Sequence, residues 1–212
     1  MRHPLLKTLI FLTMIPSGGL TAQKLSDGVY LLSGGYEMVA AFKFSADSSF
    51  EFYFSYGAVD RSARGHYTVR DGKVHLQSAK EGGKDFTITD RRRSGEGSTV
   101  KISDPNSALR KEIVCNFKKG NEMDLQYTDG EGLAHSRLDG CDSILLVHPL
   151  YPDIPTVILP GKENHFEGVL NPSLADCSFR GFTLTLDKDT LTGSLPYLFE
   201  REEVVFIRQK EK

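Results

Sequence analysis

The sequence predicts an all-β protein, and three observations support this prediction. Apolar and polar residues alternate over many short segments, which places every second side chain on one face of a strand. Turn-forming residues recur between these segments at short intervals. After residue 23, no stretch of normal helix length carries the 3.6-residue apolar stripe of an amphipathic helix.

The strongest alternation is aromatic and predicts a long hairpin with its turn at residues 46–48. Because alternate side chains share one face of a strand, that face is expected to point into a hydrophobic core. Its side chains are Met38, Ala40, Phe42, Phe44, Phe50, Phe52, Phe54 and Tyr56.

A second hairpin is predicted at residues 65–77. Asp71-Gly72 stands between two alternating segments, and this dipeptide favours a type I′ turn. A two-residue turn there fixes the pairing of the two strands. The predicted cross-strand pairs include Thr68 with His75 and His66 with Gln77.

Residues 27–89 therefore form a predicted meander of about six strands. The segment from Arg91 to Gly97 is polar and contains glycine, which places a domain boundary between residues 92 and 93. Beyond it the regular spacing of turn residues favours a sandwich or a barrel. The strands predicted there span residues 98–103, 112–118, 123–128, 133–138, 143–147, 156–159, 165–170, 182–186 and 204–208.

The first 22 residues have the pattern of a cleavable secretory signal peptide. Arg2 and Lys7 precede an apolar run at residues 8–15, and a helix-breaking Pro-Ser-Gly-Gly and small residues up to Ala22 follow. The run is shorter than the roughly 20 residues of a membrane helix. No cysteine lies near the cleavage point, so we expect a periplasmic or secreted protein, not a lipoprotein, with no membrane span after signal removal.

Charge and cysteine content limit the function classes. A formal net charge of −2 gives no reason to expect nucleic-acid binding. The basic run Arg91–Arg93 lies in a polar segment typical of a solvated linker. The cysteines Cys115, Cys141 and Cys177 allow one disulfide with one thiol left over. Cys115 alternates with apolar neighbours, so a buried and unreactive thiol is expected there.

Two parts of the chain resemble known families. The Gly-x-Tyr strands at Gly28 and Gly65, with a long hairpin between them, resemble lipocalin-like β-meanders of secreted bacterial proteins. Residues 54–67 are similar to a group of uncharacterised exported proteins of Gram-negative bacteria. Residues 123–138, with Tyr-Thr-Asp-Gly-Glu-Gly-Leu-Ala at 127–134, resemble a hairpin of transthyretin-like and carboxypeptidase-regulatory-like sandwiches. The resemblance implies an accessory domain without chemistry of its own.

These resemblances complete the expected organisation. A signal peptide at 1–22 precedes a lipocalin-like antiparallel meander at 24–92 and an immunoglobulin-like or transthyretin-like β-sandwich at 93–212. In the alternative, strands beyond residue 97 complete one barrel that the meander begins, because six strands are few for a closed ligand cavity. Neither resemblance supplies catalytic residues, and a fold does not determine a function.

The sequence carries no signature of a catalytic, metal or cofactor site. It lacks His-Glu-x-x-His, Cys-x-x-Cys and Gly-x-Ser-x-Gly, and no glycine-rich segment has the spacing of a phosphate-binding loop. His66 and His75 lie diagonally on one strand face, but the polar residues around them indicate an exposed surface. We therefore expect no catalytic residues, no bound metal and no cofactor.

The candidate ligand-binding site is the connection between residues 56 and 66. Functional residues concentrate in loops held by a rigid scaffold. At most one short helical turn is expected here, at residues 60–64, with Asp60 as its cap. In the structural alternative to a ligand site, Asp60 caps this turn and pairs with Arg64, while Tyr56 closes the core. The candidate residues are Tyr56, Asp60, Arg61, Arg64 and His66.

Three function hypotheses follow. The first is an exported, non-catalytic binding or interaction protein with an unknown protein or small-molecule partner. The second is a carrier that holds an apolar or amphipathic ligand inside the N-terminal sheet, lined by Phe42, Phe44, Phe52 and Phe54; a solidly packed face would contradict it. The third is a hydrolase with an unrecognised site, which requires several polar side chains converging in a cleft.

Overall fold

The computed structural model describes residues 24–199 and 203–210, and within these ranges the fold is all-β. The predicted signal peptide lies outside the described residues. In chain order the elements are β1 (Gly28–Leu32), β2 (Met38–Phe44), β3 (Ser49–Tyr56), β4 (Val59–Arg70), β5 (Lys73–Ser78), β6 (Phe86–Arg92), β7 (Ser98–Ser103), α1 (Ser107–Arg110), β8 (Val114–Lys119), β9 (Glu122–Tyr127), β10 (Leu133–Ser136), β11 (Ser143–Val147), β12 (Thr156–Ile158), β13 (His165–Leu170), β14 (Thr183–Asp187), β15 (Thr190–Gly193) and β16 (Val204–Arg208).

Eight of these strands close an antiparallel barrel in the order β1-β16-β15-β14-β5-β4-β3-β2. Strands β1 to β5 follow one another along the chain, and β14, β15 and β16 come from its C-terminal part. Tyr30 of β1 pairs with Arg208 of β16, and His75 of β5 pairs with Thr183 of β14. The barrel is compatible with a lipocalin-like meander, but the chain leaves it after β5 and returns at β14.

The barrel hairpins form as the alternation predicts. Strands β2 and β3 are antiparallel, with Phe42 opposite Phe52. Both predicted cross-strand pairs of the second hairpin are confirmed in the register of β4 and β5. Asp71 and Gly72 have φ angles of 50° and 70°, the positive values that a type I′ turn requires at both central positions.

Aromatic side chains fill the interior of the barrel. Phe42 and Phe52 are at most 2% exposed, and their ring centroids lie 4.6 Å apart. The ring of Phe42 also lies 5.0 Å from that of Phe206, so the described rings pack directly against one another. This packing gives no support to a carrier site on that face. Tyr56, predicted on the same face, is 48% exposed because it stands at the end of β3.

The chain between β5 and β14 forms two further four-stranded sheets, in the orders β10-β7-β13-β6 and β12-β11-β8-β9. Both contribute to one hydrophobic cluster, with Phe86 and Phe166 from the first sheet and Phe117 and Ile144 from the second. Strands β7 and β13 run parallel. Strands β9 and β10 belong to different sheets, so residues 123–138 cross between the sheets instead of pairing as a hairpin.

The predicted boundary between residues 92 and 93 falls at the end of β6, and barrel strands lie on both sides of it. Strand β6, predicted as part of the meander, belongs to one of the inserted sheets. Strands β14, β15 and β16 complete the barrel, in agreement with the alternative that strands beyond residue 97 do so.

The predicted helical turn at residues 60–64 is wrong. These residues lie within β4, where Arg61 and Ala63 are buried while Asp60 and Arg64 are exposed. Pairing with β3 on one side satisfies the backbone groups that an isolated turn would leave to water. A helical turn forms at α1 instead, where the side chain of Asn106 accepts the N–H of Ala108 at 3.0 Å.

All three cysteines are buried free thiols. Burial raises the pKa of both Cys115 and Cys177 to about 12. Because the thiolate is the reactive form of cysteine, both side chains are unreactive near neutral pH. The expectation of a buried, inert thiol at Cys115 is confirmed.

A buried histidine predicts how stability depends on pH. His148 is fully buried, its Nε2 lies 3.0 Å from the carbonyl of Leu109, and its Nδ1 accepts the N–H of Leu150 at 3.2 Å. Burial lowers the pKa of His148. Below about pH 6.5 the unfolded chain takes up a proton at this residue that the folded chain does not, so its contribution to stability is lost as pH falls toward the folded pKa.

We expect the free energy of unfolding to fall between pH 7 and pH 5, with His148 adding a slope of at most about 1.4 kcal/mol per pH unit. Denaturant titrations at several pH values check this. His148→Gln, which keeps a donor and an acceptor, should flatten the dependence, and His66→Gln at an exposed position should not. Equal slopes in the wild type and His148→Gln would contradict the assignment.

Candidate functional site

Four charged side chains are buried where the barrel meets the inserted sheets. Arg61 lies in β4, Lys80 follows β5, Asp85 precedes β6, and Asp153 lies between β11 and β12. None is more than 9% exposed. These four residues are termed the junction cluster. Its two positive and two negative charges sum to zero.

The junction cluster is closely paired. Lys80 Nζ lies 2.6 Å from Asp85 Oδ1 and 3.0 Å from Asp153 Oδ2. One guanidinium nitrogen of Arg61 lies 3.7 Å from Asp153 Oδ2. A second one donates a hydrogen bond to the carbonyl of Pro152 at 2.6 Å. Burial raises the pKa of Asp85, and Lys80 opposes that shift. Each charge depends on its partner because water is excluded.

The cluster also holds the segment that returns the chain to the barrel. The carbonyl oxygen of Asp176 accepts hydrogen bonds from Lys80 at 2.6 Å and from Arg61 at 3.2 Å. The hydroxyl of Ser62 donates to the Asp176 carboxylate at 3.2 Å, and the N–H of Cys177 donates to the Ser62 carbonyl at 2.7 Å. The buried cations therefore fix residues 176–177 beside β4.

A groove lies on the outside of the barrel next to this segment. Segments 79–84 and 173–177 contribute its walls, and the outward side chains of β1–β4 form its floor. Its volume is about 970 Å³, and an adjoining cleft of about 590 Å³ shares Glu51, Arg64 and Ala79 with it. The two together are termed the outer groove.

The floor of the outer groove contains two cross-strand rows, because neighbouring outward residues of antiparallel strands lie side by side. One row is apolar to neutral and the other is charged. The first consists of Ala41, Tyr53 and Ser62, and the second of Val29, Lys43, Glu51 and Arg64.

The structure brings two of the predicted site residues into the outer groove. Arg64 lines both of its clefts, and His66 lines the smaller one. Asp60 acts indirectly, because its carboxylate accepts the hydroxyl of Tyr53 at 3.1 Å and so orients a floor residue. Arg61 lies behind the groove in the junction cluster, and Tyr56 lies outside both clefts.

Sequence reasoning missed the residues that build the walls. Lys80 and Asp176 line the walls, and Asp85 and Asp153 hold Lys80 from behind; they come from connections far apart in the chain, and no spacing links them. One signal was available at Arg61. The alternation along β4 places Arg61 on the same face as the buried Ala63 and Tyr67. A charge on an inward face requires a buried partner.

Neither a family model, nor a curated protein, nor a solved structure matches this chain. The closed eight-stranded barrel is compatible with a lipocalin-like meander in its architecture. No helix in the described ranges has the length and hydropathy to cross a bilayer. Nor do the described residues bring together three or more His, Cys, Asp or Glu side chains suited to a metal ion.

The chemistry of the outer groove favours binding. Cys177 lines it beside Lys80, but with a pKa of about 12 its thiol stays protonated and is a poor nucleophile. Lys80 is committed to two carboxylates. The exposed polar groups that remain are suited to contacting a ligand.

Proposed function

We propose that this chain is an exported binding protein, periplasmic or secreted, that holds a small molecule in the outer groove. The observation that carries the proposal is the groove itself. Its larger cleft, at about 970 Å³, lies within the range of small-molecule sites, about 300–1,000 Å³. Its floor combines an apolar to neutral row with a row of charged side chains, which can bury the apolar part of a ligand and orient its polar part.

The proposal differs from a carrier in where the ligand lies. The barrel interior is occupied by its own phenylalanine rings, whereas the outward side of β2 and β3 is open. Tyr53 is 47% exposed there, with its hydroxyl held by Asp60. An aromatic ring that is already oriented loses little side-chain entropy when a ligand packs on it.

The proposal also includes the two resemblances found in the sequence. We infer that the barrel is a lipocalin-like scaffold that presents a site on its outer surface. The inserted sheets serve as an accessory module of immunoglobulin-like or transthyretin-like type, and supply one wall through the junction cluster. Export depends on the predicted signal peptide, and an intact mass without residues 1–22 for the mature protein is the expected result.

Filling the groove is expected to abolish ligand binding. Ala41 lies on the groove floor and is not fully exposed, so Ala41→Trp places an indole where the ligand would lie. Val39 is on the same strand, faces the same way, is 57% exposed and lies outside the groove, so Val39→Trp is a matched control.

Ligands are found by thermal-shift screening of the wild-type protein against a chemically diverse set of metabolites, and their affinities are measured by calorimetry. Ala41→Trp is expected to weaken binding at least about tenfold, since it removes the space that buries the ligand. Val39→Trp should bind as the wild type does. Equal affinities for the two variants would place the site elsewhere and overturn the proposal.

A further inference from the structure

We propose that the ligand of the outer groove is an amphipathic organic anion. This inference rests on the proposed function and adds the chemical class of the ligand. It follows from which charges in the groove are already paired and which are free to meet a ligand.

Most charged side chains of the groove have partners in the protein. Lys43 lies 3.5 Å from Glu51, and Arg180 lies 3.0 Å from Glu81. Lys80 is neutralised within the junction cluster. These pairs give a cationic partner to Glu51, the acidic residue of the floor, and to Glu81, the acidic residue of the 79–84 wall.

Two cations remain. Arg64 and Lys84 line the groove, both are exposed, and neither forms an ion pair with a described residue. One acidic side chain of the groove, Asp176, remains outside these ion pairs. Its carboxylate accepts the Ser62 hydroxyl, and its backbone carbonyl accepts hydrogen bonds from two buried cations. The groove therefore has an excess of positive charge, although the whole chain has a formal charge of −2. A concave positive surface on an acidic protein attracts anions selectively.

Arg64 has the central position. It is shared by both clefts, and the smaller cleft adds His66 and Arg180 around it. A guanidinium group presents several N–H donors in one plane, which suits a carboxylate, sulfonate or phosphate head. We assign the anionic head of the ligand to Arg64.

The rest of the ligand is apolar. The row next to Arg64 consists of Ala41, Tyr53 and Ser62, and Val29 ends the charged row on the far side. The Tyr53 and Ser62 hydroxyls already donate to carboxylates of the protein, so this row offers a ligand mainly a methyl group and a ring face. An alkyl or aryl tail can pack on these groups without leaving polar atoms unpaired.

Three probes with alkyl tails of nearly equal length test the head group: decanoate, decyltrimethylammonium and decyl maltoside, each below its micelle concentration. Calorimetry should show decanoate binding at least about tenfold more tightly than the other two, because only its head forms charge-assisted hydrogen bonds. Arg64→Gln should remove most of this preference. Arg70→Gln, an exposed arginine on the same strand outside the groove, should keep it.

The outcomes separate this inference from the proposed function. Equal binding of the three probes, or tighter binding of the cation, overturns the anionic class; if Ala41→Trp still blocks that binding, the groove remains the site. Absence of decanoate binding also overturns the inference, while the metabolite screen tests the groove independently.

Anionic lipids in a bilayer share the head-group chemistry of a free amphiphile. Segments 79–84 and 173–177 bound the groove beside β4 and give it a depth that suits a single molecule, so we assign a free ligand. Sedimentation with phosphatidylglycerol vesicles should therefore leave the protein in solution. Arg64-dependent binding to those vesicles, without binding of monomeric decanoate, would overturn the free ligand.

Discussion

Asp153→Ala is expected to lower the free energy of unfolding by about 3–5 kcal/mol, because it leaves buried charge without its counter-ion. Lys80 Nζ lies 3.0 Å from this carboxylate, and the Arg61 guanidinium lies 3.7 Å from it. The variant also removes the acceptor for the N–H and hydroxyl of Ser178, at 3.0 and 2.7 Å. Urea denaturation at neutral pH measures the change.

Two controls define the origin of this effect. Glu51→Gln breaks the pair with Lys43 at the surface, where both side chains are more than half exposed, and should change stability by less than about 1 kcal/mol. Asp153→Asn keeps one acceptor oxygen for Ser178 but loses the charge and the second acceptor. If Asp153→Asn were as stable as the wild type, the hydrogen bonds and not the ion pairs would hold the junction.

Phe42→Ala is expected to destabilise the protein by about 3–5 kcal/mol, the usual range for removing a buried phenylalanine ring. Phe42 is fully buried and has five aromatic rings around it, from Phe44, Phe50, Phe52, Phe179 and Phe206. Two of these rings come from β3 and one from β16, so the cavity would open among side chains of β2, β3 and β16.

Val39→Ala on the same strand is the control for Phe42→Ala. Val39 is 57% exposed, so its truncation should stay within about 0.5 kcal/mol. Thermal and urea denaturation of both variants give the comparison. A loss below about 1 kcal/mol for Phe42→Ala would mean that the barrel interior relaxes around the missing ring and is less tightly packed than the ring distances indicate.

Local pattern predicts the barrel hairpins well. The inward positions of β2 and β3 and the register of β4 with β5 follow from alternation and from Asp71-Gly72, both of which act between neighbours in the chain. Strand β15 was not predicted. It is four residues long and directly follows the acidic turn Asp187-Lys188-Asp189. Its alternation of apolar and polar residues is therefore too short to predict a strand.

The strand partners over long distances could not be predicted. Strand β6 has the same kind of alternation as the barrel strands, and nothing within residues 86–92 specifies β13 as its partner. The choice depends on which faces bury the most apolar surface in the whole fold. For the same reason the sequence does not indicate the junction cluster, since Lys80 and Asp153 lie far apart in the chain and meet only in the folded structure.

The closure of the barrel by β1 and β16 has a consequence for folding kinetics. Contacts between segments far apart in sequence form slowly, because a long loop must be ordered first. The inserted sheets, with neighbours such as β8 and β9, have shorter loops to close. We expect them to form early, while β1 and β15 remain as open edges until residues 204–208 pair with both of them. Open edges pair readily with other chains, so a chain that ends before β16 is expected to aggregate.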